Sequence, residues 1–155
     1  MVRKISYCLL ILAAALMVIS CGSKDDSELA SINPGLYEIN HDIKYSGQLI
    51  ILKQRVRYKT DGTFEATNFQ NNAAVEELKG KYKVENKQLI FSDTQYRLIT
   101  QEGTWEKKDI ANVDVRKIKK DSYQYYFKFP DDQTREQLKG IGLAEGWKTY
   151  KRVSD

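Results

Sequence analysis

The chain has 155 residues, one His, two Cys and a formal net charge of +4, which falls to about +2 once Arg3 and Lys4 are set aside. So mild an excess serves solubility and lacks the basic stripe that a nucleic-acid partner requires. The densest basic run, Arg116-Lys117-Ile118-Lys119-Lys120, is broken by Ile118 and runs into Asp121 and Ser122, so it reads as a solvated strand end or turn. No second His is available to complete a His-built zinc site, and the sequence carries no GxSxG, HExxH or phosphate-cradling glycine loop.

Residues 1–20 have the layout of a secretion signal. Arg3 and Lys4 precede the uncharged run Cys8–Ile19 (CLLILAAALMVI), and charge returns at Lys24, Asp25 and Asp26. A membrane-spanning helix needs roughly 20 apolar residues, and this run is shorter. Val18-Ile19-Ser20-Cys21 resembles the bacterial lipobox, an aliphatic residue and two small or apolar ones before a Cys. The resemblance implies cleavage before Cys21 and a diacylglyceryl thioether on its sulfur. Cys8 is discarded with the signal, so the mature domain would keep no disulfide, no free thiol and no thiolate metal ligand. Two or more acyl chains make a stable anchor where one is marginal. The expected partner is therefore the membrane, reached through lipidated Cys21, and the expected location is the bacterial envelope, at the outer membrane.

Residues 21–34 form a polar, proline-terminated tether, and the thirteen from Gly22 to Pro34 span at most about 40 Å when extended. Lys24-Asp25-Asp26 resembles the surface-export signal of Bacteroidetes lipoproteins, and reads equally as an ordinary acidic tether.

The domain proper, 35–155, shows period-two alternation broken by frequent turn residues. Strands are predicted at Gly35–Ile39 and at Gln48–Thr60, where Ile50, Leu52, Val56 and Tyr58 share a face. Asp61-Gly62 predicts a two-residue turn of positive φ, with Thr63–Thr67 returning. A second hairpin follows over Gly80–Phe91 with Asn86 at its turn, and further strands at Gln95–Gln101, Val113–Ile118, Tyr123–Phe129 and Trp147–Val153 bring the number to about eight. Asn71–Leu78, rich in Ala, Glu and Leu, predicts one or two helical turns or a loop. Asp132–Lys139 predicts a short helix capped by Asp131 or Asp132 and stopped by Gly140. The whole is an antiparallel all-β barrel or sandwich with short helical insertions.

Three segments together are similar to the lipocalin-like domains of small bacterial lipoproteins: Gly35-Leu36-Tyr37 at the opening strand, Tyr58-Lys59-Thr60-Asp61-Gly62-Thr63-Phe64 followed by Gly80-Lys81-Tyr82-Lys83-Val84, and Tyr150-Lys151-Arg152-Val153 at the close. Tyr37 stands where such domains commonly have Trp. The resemblance implies a small up-and-down β-barrel without enzymatic activity, metal or cofactor, which binds small apolar molecules or other proteins.

His41 and Asp42 could suggest an acid/base pair or metal ligands, but side chains at neighbouring strand positions point to opposite faces, and Glu76-Glu77 and Asp131-Asp132 read as solvated charge. Aromatic residues are more informative. Tyr123, Tyr125, Phe127 and Phe129 share one face, which is either packed core or the lining of a cavity. If the barrel is hollow, alternation places Tyr58, Phe64, Tyr82, Phe91 and Tyr125 around a small apolar or amphipathic ligand; if it is filled, the loops of a protein-interaction or inhibitor module carry the function.

Overall fold

A computed structural model describes residues 27–99 and 103–153. The signal segment, Cys21, Lys24-Asp25-Asp26 and the end of the strand expected at Gln95–Gln101 lie outside the described residues.

Among the described residues, alternating apolar residues build nine strands: β1 Gly35–Tyr45, β2 Gln48–Tyr58, β3 Thr63–Gln70, β4 Ala73–Glu85, β5 Gln88–Leu98, β6 Glu106–Lys107, β7 Val113–Lys119, β8 Ser122–Phe127 and β9 Gly146–Arg152. A short helix, α1 Asp132–Gln137, follows β8. Each strand pairs antiparallel with the next around the ring, β4 with β5 and β9 with β1, so the sheet closes and its edges disappear. β6 is a two-residue pairing on β5, which leaves an up-and-down barrel of eight strands, as the sequence predicts.

Three connections are two-residue turns in which both residues have positive φ: Ser46-Gly47, Asn71-Asn72 and Asn86-Lys87. That geometry matches the right-handed twist of the flanking strands, and Asn and Gly adopt it at least cost. The Asp61-Gly62 expectation is corrected here. Gly62 alone has positive φ (+79°); its N–H bonds the Lys59 carbonyl at 3.2 Å, and the Lys59 N–H bonds the Thr63 carbonyl at 2.9 Å. The loop is longer than two residues, with Gly62 as its left-handed bulge, because Asp61 Oδ1 accepts from both the N–H and the hydroxyl of Thr63 and holds itself out of the left-handed region.

Asn71–Leu78 is likewise corrected. Asn71-Asn72 make a turn and the rest is strand, paired with β3 through Thr67↔Glu77 and with β5 through Leu78↔Tyr96. Helix propensities of a few tenths of a kcal/mol lose to two flanking ladders. α1 does form where expected, with the Asp131 carboxylate accepting the Thr134 N–H at 2.7 Å. β5 runs unbroken from Gln88, absorbing the separate strand expected at Gln95. It is kinked at Asp93 (φ +51°), where its register against β4 shifts by one residue. The shift brings backbones together: a Cβ on Gly80 would lie 2.9 Å from the Ser92 carbonyl oxygen and 3.1 Å from the Thr94 Cα, so only glycine fits there.

β6 and β7 hold the same register on β5, with no residue gained or lost between Glu106↔Tyr96 and Val113↔Leu89. Residues 108–112 are therefore the middle of one descending strand that leaves the sheet beside the Asp93 bulge. Trp105 fastens the upper part from outside, with Lys79 Nζ 4.0 Å and the Arg97 guanidinium 4.9 Å from its ring.

The end of the barrel bearing the 59–62, 86–87 and 120–121 turns is sealed. Tyr37 is fully buried there, edge-on to Tyr58 and Tyr123 with centroids 5.9 and 5.5 Å away, and Ile32 lies beneath them. Of the tether, the described part docks on this base. Leu29 N–H bonds the Ile118 carbonyl, Glu28 accepts the Lys117 N–H, Asn33 donates to the Lys120 carbonyl, and the Tyr37 hydroxyl donates to the Asn33 carbonyl. The opposite end is the mouth, flanked by the β1–β2 tip and by residues 128–145, where the Lys44 N–H bonds the Ile141 carbonyl.

Candidate functional site

Inward-facing side chains leave a cavity of about 170 Å³ in the middle of the barrel. β2 supplies Gln54, Val56 and Tyr58; β3 supplies Phe64 and Ala66; Leu78, Leu89 and Phe91 come from β4 and β5. Ile110, from the segment that leaves the sheet, and Val113 close one side, with Tyr123, Tyr125 and Tyr150 on the other. Among the described residues, none that lines it is charged.

Its polar groups lie in two layers. At the floor the hydroxyls of Tyr58 and Tyr123 bond each other at 2.8 Å, both buried. At the roof the Tyr150 hydroxyl donates to Gln54 Oε1, and Tyr125 lies 3.3 Å from His41 Nε2. The roof bond begins a chain: Gln54 Nε2 donates to Asn68 Oδ1 at 2.7 Å, Asn68 Nδ2 to Glu76 Oε2 at 2.6 Å, and Lys108 Nζ donates to Glu76 Oε1 at 2.8 Å. The carboxylate can only accept, which fixes the orientation of both amides and leaves the Tyr150 hydroxyl as the donor at the far end. Glu76, expected to be solvated, is instead the anchor of an interior network, its side chain only 16% exposed and its charge met by Lys108.

Above the roof a wider recess of about 380 Å³ opens toward the mouth, sharing Gln54, Tyr125 and Tyr150 with the inner cavity and adding His41, Leu52, Phe127 and Leu143 among others. Burial and the neighbouring Lys148 push His41 below the usual imidazole range, against a weaker opposing pull from Asp42, so it acts as a neutral partner of Tyr125. Burial likewise raises the Tyr125 hydroxyl to about 12, and those of Tyr58, Tyr123 and Tyr150 well above the ordinary phenol value. The inner cavity is thus lined by neutral hydrogen-bonding groups at neutral pH. Among the described residues no three His, Cys, Asp or Glu side chains gather as metal ligands would.

Of the five residues singled out by alternation, the structure puts Tyr58, Phe64, Phe91 and Tyr125 on the cavity wall. Tyr82 stands behind the wall, its ring 4.6 Å from that of Tyr58 and its hydroxyl bonded to the Lys59 carbonyl, because the β2–β3 turn at residues 59–62 folds across it. Sequence reasoning passed over Gln54 and Tyr150. Gln54 falls on the inward face between Leu52 and Val56, and a polar residue on such a face was the signal available.

No protein-family model matches the chain, and no curated protein or solved structure matches it either. What defines the molecule is therefore its geometry: a closed, eight-stranded antiparallel barrel with one short helix, consistent with a lipocalin-like fold and able to enclose a ligand.

Proposed function

We propose that the protein is an envelope-anchored, non-enzymatic lipoprotein that carries a small apolar or amphipathic ligand inside its barrel. The observation that supports this is the small apolar cavity roofed by neutral hydrogen-bonding groups, together with the wider recess that shares its roof: apolar walls with a few placed polar groups, as in small-molecule sites. The Val18–Cys21 sequence supports the anchor, and delivery to the outer membrane goes with it. Native mass spectrometry of the protein purified from its own host is expected to reveal a retained small molecule released on unfolding; protein that is empty in every preparation would count against the carrier reading. Cys21→Ser is expected to abolish metabolic labelling with a fatty acid and to free the protein from the membrane fraction, and label retained on the variant would overturn the lipobox assignment.

A second reading, a protein-interaction or inhibitor module, is favoured by the β1–β2 tip. β2 pairs with β3 only up to Leu52, and beyond it Tyr45 and Leu49 are 61% and 56% exposed. A stoichiometric protein partner lost on Leu49→Ser, together with an empty barrel, would select this reading over the carrier.

A further inference from the structure

The inner cavity restricts what it can hold in size, charge and polarity, and this inference rests on the carrier reading above. A dry apolar cavity of about 150 Å³ takes up a benzene-sized molecule, and the volume here is about 170 Å³. A single ring or a short alkyl chain fills that space. A long acyl chain does not, unless the Tyr150–Gln54 bond opens and the chain continues into the mouth recess.

Charge is set by the lining. Its polar atoms belong to Gln54 and four tyrosines whose hydroxyls burial keeps protonated. Glu76, reached from the cavity through Gln54 and Asn68, is already paired with Lys108, and Lys53 lines the mouth recess and not the inner cavity. An ionised group entering the cavity would lose its hydration with no counter-charge to meet it. A neutral hydroxyl finds partners at the roof: the hydrogen bond to Asn68 uses one of the two N–H groups of Gln54, and the phenolic oxygen of Tyr150 retains acceptor capacity while its proton goes to Gln54. The floor offers less, since Tyr58 and Tyr123 satisfy each other.

We propose that the cavity between the Tyr58–Tyr123 floor and the Gln54–Tyr150–Tyr125 roof binds neutral, ring-sized or short-chain molecules bearing one hydroxyl, of the phenol and short-alcohol class, with the hydroxyl at the roof.

Calorimetric titration of the full-length protein in detergent with phenol, toluene, benzoate and hexadecanoate tests this. Phenol is expected to bind at one saturable site and benzoate at least about tenfold more weakly at neutral pH. Ala66→Leu, which fills the cavity from β3, should abolish phenol binding. Gln54→Leu should weaken phenol by about tenfold while sparing toluene, which gives a readout independent of whether the Ala66 variant folds. Benzoate binding as tightly as phenol, or phenol binding unchanged in Gln54→Leu, would overturn the proposal. Hexadecanoate bound without phenol would also overturn it while leaving the carrier reading standing, and no binding by any of the four would remove both.

Discussion

Tyr37→Ala is expected to lower the unfolding free energy by about 3–5 kcal/mol, the range for emptying an aromatic site in a packed interior. Tyr37 has no exposed surface, and its ring is the piece against which Tyr58 and Tyr123 stand edge-on. Its removal therefore takes away two aromatic contacts and leaves a void at the base of the barrel. The hydroxyl is a separate matter. It holds the Asn33 carbonyl at 2.7 Å and so ties the incoming chain to the base. Tyr37→Phe should lose only about 1 kcal/mol, the worth of a single hydrogen bond. Chemical denaturation of the two variants separates ring from hydroxyl, and equal losses would show that the packing role has been misplaced.

The second large effect is with pH. Tyr58, Tyr123, Tyr125 and Tyr150 all have hydroxyls pushed above the ordinary value of about 10 by burial, Tyr125 to about 12. A group whose folded-state value is raised holds its full stabilisation below the unfolded value and loses it as pH climbs toward the folded one. Each tyrosine that stays protonated in the fold but ionises in the unfolded chain makes stability fall by about 1.4 kcal/mol per pH unit, so four give about 5 kcal/mol per unit above pH about 10. Against a total stability of about 5–15 kcal/mol, the barrel should unfold cooperatively between pH about 10 and 12. Exposed ion pairs such as Lys81–Asp93 add little to this slope. Circular dichroism and tyrosinate absorbance followed in one titration should show loss of the sheet coinciding with a steep rise in tyrosinate. A gradual rise with the sheet intact would mean that these hydroxyls reach solvent.

The strand faces were legible in the residues because alternation and burial are the same fact seen twice: Val56, Tyr58, Phe64 and Tyr123 are inward both by pattern and by position. Turn chemistry was half legible. Asn86 marks its turn, yet Asp61-Gly62 suits both the two-residue turn and the longer loop with a glycine bulge, and the choice rests on the Asp61–Thr63 hydrogen bonds that the loop itself creates. Asn71–Leu78 misled because Ala, Glu and Leu favour a helix locally, whereas the pairing that makes them strand comes from β3 and β5, distant in sequence. The departure of 108–112 from β5 carries no local mark at all. Nor does the cavity, since alternation fixes which side chains point inward and is silent on whether they fill the space. Gln54 was recoverable in part, as a polar residue on an inward face, whereas Glu76 was hidden by the helical reading of its segment.

The docking of Glu28, Leu29 and Asn33 against β7 and the turn after it gives the barrel a direction. Only residues 22–26 lie between Cys21 and Ser27, a reach of about 20 Å even when extended. With lipid on Cys21, the bilayer would lie beneath the tyrosine-sealed base, while the mouth, the roof network and the β1–β2 tip would face the aqueous side. Cargo would then be exchanged with the surrounding water or with a facing molecule, and the lipids that hold the protein in place would be the molecules least able to enter it.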